Sequence, residues 1–205
     1  MTDIRDFMPS RRGFLGLAAG AGALAAAGAA EEAQAQVATN AHIVILGAGA
    51  AGTALANRLV RRLDGAKITI VDGRKEHWYQ PGFSLIAAGL KAPNYSVSQT
   101  TDWLPSGVEL KQDFAANIDP EAKTVALQGG EVLSYDYLVV ATGLTLDHAA
   151  IEGFDLDLVG KEGIGALYAG PEYAARTWEA ARAYTETGGV GLFTRPVTEM
   201  KCAGA

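Results

Sequence analysis

Cys202 is the one thiol in 205 residues, and Lys201 stands beside it. A thiolate is a nucleophile, and a suitably oriented ammonium lowers the pKa of a neighbouring thiol. A lone cysteine is also commonly a small buried hydrophobe with no chemistry, and the residues alone leave both readings open. The second chemical signal is the run Gly47-Ala48-Gly49-Ala50-Ala51-Gly52, followed about 20 residues later by the acid Asp72. Glycines at that spacing make a tight turn and let backbone amides approach a pyrophosphate. An acid at that distance accepts hydrogen bonds from ribose hydroxyls and repels a 2′-phosphate. His42, His77 and His148 are scattered without metal-ligand spacing, so no metal centre is expected.

These residues need a strand, a helix and a second strand to position them, and the chain supplies the pattern. Ile43–Leu46 is an apolar run that reads as a buried strand entering the glycine turn. A helical pattern follows, with Ala51, Leu55, Leu59 and Leu63 on one face and Asn57, Arg58, Arg61 and Arg62 on the other. Asp64-Gly65 breaks it, and Lys67–Val71 alternates as a strand that ends in Asp72. Gly47 permits the turn, Gly49 admits the pyrophosphate, and Gly52 lets helix and strand pack closely. The amides near Ala50 and Ala51 open the helix at its positive end, where an anion is favoured.

Composition agrees with an α/β nucleotide-binding chain: nearly half the residues are apolar, and there are 25 glycines. A net charge of −6, with no basic stripe, argues against nucleic acid as a partner. Residues 1–40 read as an address. Ser10-Arg11-Arg12-Gly13-Phe14-Leu15 is a twin-arginine pattern, an Ala/Gly-rich run reaches Ala30, and Ala33-Gln34-Ala35 supplies a small-x-small cleavage site. A membrane anchor needs about 20 strongly apolar residues, and this soft run falls short. The expected location is periplasmic, and the alternative is an uncleaved signal that tethers the protein to the membrane. The twin-arginine route carries proteins folded around their cofactor, so a tightly held FAD is expected here rather than a diffusing nicotinamide.

Past Asp72, the segment His77-Trp78-Tyr79-Gln80-Pro81-Gly82-Phe83 is unusually aromatic for a turn. It is either a surface loop anchored by buried rings or a loop on an isoalloxazine face, with Gln80 as a polar contact. Val108–Leu110, Phe114–Ile118, Thr124–Leu127 and a strand from Glu131, with a Gly129-Gly130 hairpin, predict a small antiparallel meander. Tyr135–Val140 then reads as an apolar parallel strand ending in Ala141-Thr142-Gly143, small residues that let backbone approach a cofactor. Asp136 caps or anchors that strand.

The glycine unit, the His77–Phe83 loop and Lys201-Cys202-Ala203-Gly204-Ala205 together resemble the sulfide:quinone oxidoreductase family, within the two-dinucleotide-domain disulfide reductase superfamily. The likeness runs from His42 to Ala205. It implies a Rossmann-like FAD domain with a β-meander insertion, and Ala141-Thr142-Gly143 against the pyrophosphate side of FAD. It also implies adenine contact by the Ala115 backbone, although a plain strand residue is the competing reading there. Cys202 would belong to a redox-active cysteine pair: sulfide or another small thiol donor attacks the oxidised bridge, a persulfide forms, and electrons reach FAD and then quinone. Related alternatives are a flavocytochrome c sulfide dehydrogenase-like or NADH dehydrogenase-like flavoprotein.

The tail bears on the second domain. Leu144–Gly160 reads as a connection, Tyr168–Tyr184 as a helix with Pro171 near its start and Gly188-Gly189 at its end, and Gly189–Phe193 as the first strand of a second βαβ unit. No second glycine fingerprint follows, which disfavours NADH as reductant. The expected organisation is a signal and linker in 1–40, an FAD domain in 41–155, and the start of a second, incomplete domain in 156–205. Family members are longer, with their second cysteine and a membrane-binding part in the additional length. The chain therefore reads as a truncated product, a fragment or half of a split protein, and a catalytically inactive FAD-binding module is the rival from another class.

Overall fold

The computed structural model describes residues 36–194. The twin arginines, the Ala/Gly-rich run and Cys202 lie outside these residues. In chain order the elements are β1 (Val37–Ala38), β2 (His42–Leu46), α1 (Ala50–Arg62), β3 (Leu63–Asp64), β4 (Lys67–Val71), β5 (Glu76–Trp78), α2 (Phe83–Ala87) and β6 (Val97–Gln99). They continue as β7 (Val108–Lys111), β8 (Ala115–Asp119), β9 (Thr124–Leu127), β10 (Val132–Ser134), β11 (Tyr137–Val140) and α3 (Pro171–Thr187).

Four strands form a parallel sheet in the order β11-β2-β4-β7. The β2 sequence His-Ile-Val-Ile-Leu has no polar residue past its first, because both its faces are covered. Alternation sends Ile43 and Ile45 to one face, where they join Ala48, Ala56, Ile68 and Ile70, with Leu55, Leu59 and Leu110 packed around them. Val44 and Leu46 face the other way, into a cluster with Val71, Val125, Leu127 and Leu133. One sheet thus carries α1 on one side and the antiparallel meander β8-β9-β10 on the other. Burying an Ile or Val contributes about 1.5–3 kcal/mol, so the two clusters are the main cohesive force around the glycine turn.

Three details differ from the sequence expectation. Val108–Lys111 is the fourth strand of the parallel sheet, pairing with β4, and takes no part in the meander. In α1 the buried face is Gly52, Thr53 and Ala56, and Ala51 is exposed. The glycine at 52 draws the helix so close to β2 that small residues, not leucines, occupy the contact line. Leu55, Leu59, Val60 and Leu63 flank it half-buried, and Asn57 donates to the carbonyls of Thr53 and Trp103. Finally, Gly189–Phe193 forms no strand: it has no sheet partner among the described residues, and Phe193 is 99% exposed.

The helix predicted over Tyr168–Tyr184 is α3, with Pro171 at its first turn and Gly188, at φ +70°, closing it. It packs against α2 through a cluster of Phe83, Ile86 and Ala174, joined by Ala87, Leu167 and Ala175.

Candidate functional site

The site forms where β2 and β11 end side by side. These strands pair in parallel from Tyr137–Ile43 to Val140–Leu46, and the Ala141 amide continues the ladder to the Leu46 carbonyl at 2.8 Å. The pairing brings together two segments about a hundred residues apart in sequence. Gly47, at φ +101°, turns out of the sheet so tightly that a Cβ there would lie 2.4 Å from the Ala141 carbonyl oxygen. Gly52 is equally constrained, since its Cβ would come within 1.9 Å of the Gly47 carbonyl oxygen. Gly49 differs: a Cβ there meets nothing within 4 Å. Gly47 and Gly52 shape the turn, and Gly49 leaves a bare backbone face.

That face is the start of α1. Gly49 is the residue preceding the helix, no side chain caps it, and its first turn contains no acid. The amides there have no intrahelical partner, so Gly49, Ala50 and Ala51 present donors and the positive helix end to an anion. Arg61 and Arg62 occupy the last turn, the favourable end for cations. Gly143, at φ +76° with nothing within 4 Å of a Cβ position, leaves a second open backbone face beyond Ala141 and Thr142. A helix start with no side-chain cap, bounded by two bare glycine faces, fits a pyrophosphate.

Asp72 closes the site on the β4 side. It is only 5% exposed. Oδ2 accepts from the Ala48 amide at 2.8 Å and from Arg74 Nη2 at 2.9 Å; Oδ1 accepts from the Arg74 amide at 2.9 Å and Arg74 Nε at 3.1 Å. Burial pushes this carboxyl up, but the hydrogen bonds from the Arg74 side chain, the Ala48 amide and the Arg74 amide outweigh it and hold it below the ordinary carboxylate value. Asp72 is ionised at neutral pH.

The remaining sequence-selected residues sit around this centre. Ala115 begins β8, half-buried against the Val44–Leu133 cluster, and the register slips between Ala115 and Asn117. Gln80 opens a short 3₁₀ turn ahead of α2; it is exposed, and its side chain makes no hydrogen bond among the described residues. Asp136 anchors as expected, accepting from the His42 amide at 2.7 Å. Cys202 lies outside the described residues.

Sequence reasoning passed over four participants. Ala48 is held from both sides, its amide on Asp72 and its carbonyl 3.3 Å from His77 Nδ1. Trp103 lies beside the His77 ring, with centroids 5.6 Å apart. Arg74 clamps Asp72, and the spacing Asp-Gly-Arg was a legible cue, because an aspartate commonly bonds the amide two residues on. The Phe114 ring packs on Gly73 so closely that a Cβ there would be 2.2 Å away. Nothing in sequence joins residues 73 and 114.

The family model for pyridine nucleotide-disulphide oxidoreductases matches residues 41–184. The mitochondrial sulfide:quinone oxidoreductase of Mus musculus is 36% identical over 167 residues, covering 80% of this chain and 35% of the relative. That of Dictyostelium discoideum is 34% identical over 164 residues, covering 80% and 36%. The chain therefore spans about a third of the length of the curated relatives it matches. Among solved structures, the sulfide:quinone oxidoreductase of the hyperthermophilic bacterium Aquifex aeolicus aligns with a TM-score of 0.55 at 27% identity, over 72% of this chain and 33% of that one. Rossmann-type sheet, glycine turn, Ala141–Gly143 turn and family match agree: the chain belongs to the pyridine nucleotide-disulphide oxidoreductase family, whose members are FAD-binding flavoproteins.

Proposed function

We propose that this chain is the FAD-binding part of an exported oxidoreductase of the sulfide:quinone type, which takes electrons from sulfide or another small thiol and delivers them to quinone. The observation that carries the reading is the seat of Gly47 against the Ala141 carbonyl, which joins two glycine turns into one cradle. In this reading Gly47, Gly49 and Gly52 admit the pyrophosphate, the Ala50 and Ala51 amides donate to it, and Ala141, Thr142 and Gly143 line its other side. Asp72 serves the ribose, the Ala115 backbone the adenine, and Gln80 the flavin-ring end. FAD, when bound, supplies a two-electron acceptor.

Cys202 supplies the sulfur chemistry. Hydrosulfide attacks one sulfur of a bridge between Cys202 and a second cysteine; that S–S bond breaks, a persulfide forms on the attacked sulfur, and the other sulfur leaves as a thiolate with the bond's electron pair. Cys202 is the one cysteine of these 205 residues, so the bridge needs a second sulfur from another part of the active assembly. The twin arginines at 11 and 12 support export to the periplasm, and membrane association belongs to the same proposal.

The full chain, expressed with ample flavin, purifies yellow and releases FAD on denaturation; a colourless protein refutes the reading. In an assembly that contains the second cysteine, Cys202→Ser abolishes sulfide-dependent bleaching of the flavin, whereas unchanged bleaching clears Cys202 of a role. Replacing Arg11 and Arg12 by lysine retains the protein in the cytoplasm, and continued export excludes that route.

A further inference from the structure

The acid expected to serve the ribose has no acceptor to spare. An ionised carboxylate offers about four lone-pair directions, and at Asp72 all four are filled. Two are taken by main-chain donors, the amides of Ala48 and Arg74, which the fold supplies whatever is bound. The other two are taken by Nε and Nη2 of one guanidinium, on a side chain 54% in solvent. Among the described residues, that guanidinium has no hydrogen bond to anything except Asp72. The Arg74 main chain is held independently, by its amide on Asp72 and by its carbonyl, which accepts from Thr100 Oγ1. The side chain can therefore leave without the loop moving.

We propose that Arg74 is a placeholder at the ribose end of the dinucleotide site: its guanidinium fills the outer lone pairs of Asp72 in the cofactor-free chain and gives them up to ribose hydroxyls on loading. The inference rests on the FAD reading above. Its physical basis is the position of Asp72, whose carboxylate is almost wholly removed from water and strongly unfavourable there without a partner. Arg74 stabilises the empty site and competes with the ligand that fills it. It is thus a positioning residue with opposite effects on two measurable quantities.

The test is equilibrium FAD binding, read from flavin fluorescence, with thermal unfolding of the cofactor-free full chain alongside. Arg74→Gln binds FAD about two- to fivefold more tightly, the span of a half-exposed ion pair, and the cofactor-free variant melts at a lower temperature. In an Asp72→Asn background the same change leaves FAD affinity unaltered. Simple charge attraction gives the opposite sign, because FAD carries an anionic pyrophosphate and loss of a nearby cation then weakens binding. Weaker or unchanged binding by Arg74→Gln overturns the proposal. Arg74→Lys keeps the cation but not the two-pronged fork. It shifts affinity in the same direction and serves where Arg74→Gln does not fold. A wild-type chain that takes up no FAD sinks the functional reading and this one with it. Uptake by wild type without tightening in the variants sinks the placeholder alone.

Discussion

The amide of Ala48 donates to Oδ2 of Asp72 over 2.8 Å, tying the residue after the turn glycine to the acid at the end of the next parallel strand. This bond crosses from the β2 end to the β4 end and holds the glycine turn in place before any ligand arrives. Asp72→Ala leaves a buried amide without its acceptor, which costs about 1–3 kcal/mol. Urea unfolding at neutral pH measures it, and an unchanged midpoint removes the tie from the account. The acid branch follows from the same bond. The folded-state pKa of Asp72 is lowered, so its stabilisation is complete above the ordinary carboxylate value of 3.8 and fades as pH falls through the lower, folded value. Asp72→Asn flattens that branch.

The three glycines of the turn separate into two kinds. Gly52→Ala places a methyl 1.9 Å from the Gly47 carbonyl oxygen, backbone that cannot swing aside, and destabilises the chain by about 1–3 kcal/mol or more. Gly49→Ala meets open space at φ −72°, so its melting temperature stays close to wild type. FAD affinity nevertheless falls at least about tenfold, a loss of 1.4 kcal/mol, because the methyl occupies the approach of the pyrophosphate. Equal melting and equal FAD affinity for Gly49→Ala would falsify the placement of the cofactor.

His42 makes stability pH-dependent near neutrality. Burial, and then the charge of Lys67, hold its imidazole below the usual 6.5, and its Nε2 lies 2.9 Å from Thr69 Oγ1. Between the folded value and 6.5 the unfolded chain binds the extra proton. The contribution is therefore complete above 6.5 and lost as pH falls through the folded value. Unfolding midpoints at pH 7.5 and 5.5 differ less in His42→Gln than in wild type; an identical pH dependence in both assigns it to another group.

Phe83 is fully buried between α2 and α3. Phe83→Ala costs about 3–5 kcal/mol, and the damage concentrates in α3, whose buried contact runs through Ala174. Amide exchange should accelerate across Pro171–Thr187 while β2 and β4 stay protected. Uniform acceleration in all elements would show instead that α3 and the parallel sheet unfold as one unit.

Local order was enough to read much of this molecule. The apolar run at Ile43–Leu46, the glycines at 47, 49 and 52, the alternation at Lys67–Val71 and the acid after it specify a βαβ dinucleotide unit, because each step depends on spacing within a few residues. The end of α3 was legible for the same reason: Gly188 closes a helix that Pro171 opens. Pairings between distant segments were not legible. Val108–Lys111 is short and half-polar, and only its place beside β4 makes it a parallel strand. Ala51 falls outside the core because Gly52 pulls α1 against Gly47, a contact between backbones with no side-chain pattern to announce it. Valine, leucine and phenylalanine at 190–193 have strand composition, yet no neighbour among the described residues bonds them, and composition alone makes no strand. The sequence by itself determined that a nucleotide turn exists and which residues build it. The tertiary structure alone decided that Ala141 backs Gly47, that Asp72 holds Ala48, and that the Arg74 fork bonds both carboxylate oxygens of Asp72, since each relation depends on strand order and on hydrogen bonds closed around the strand ends.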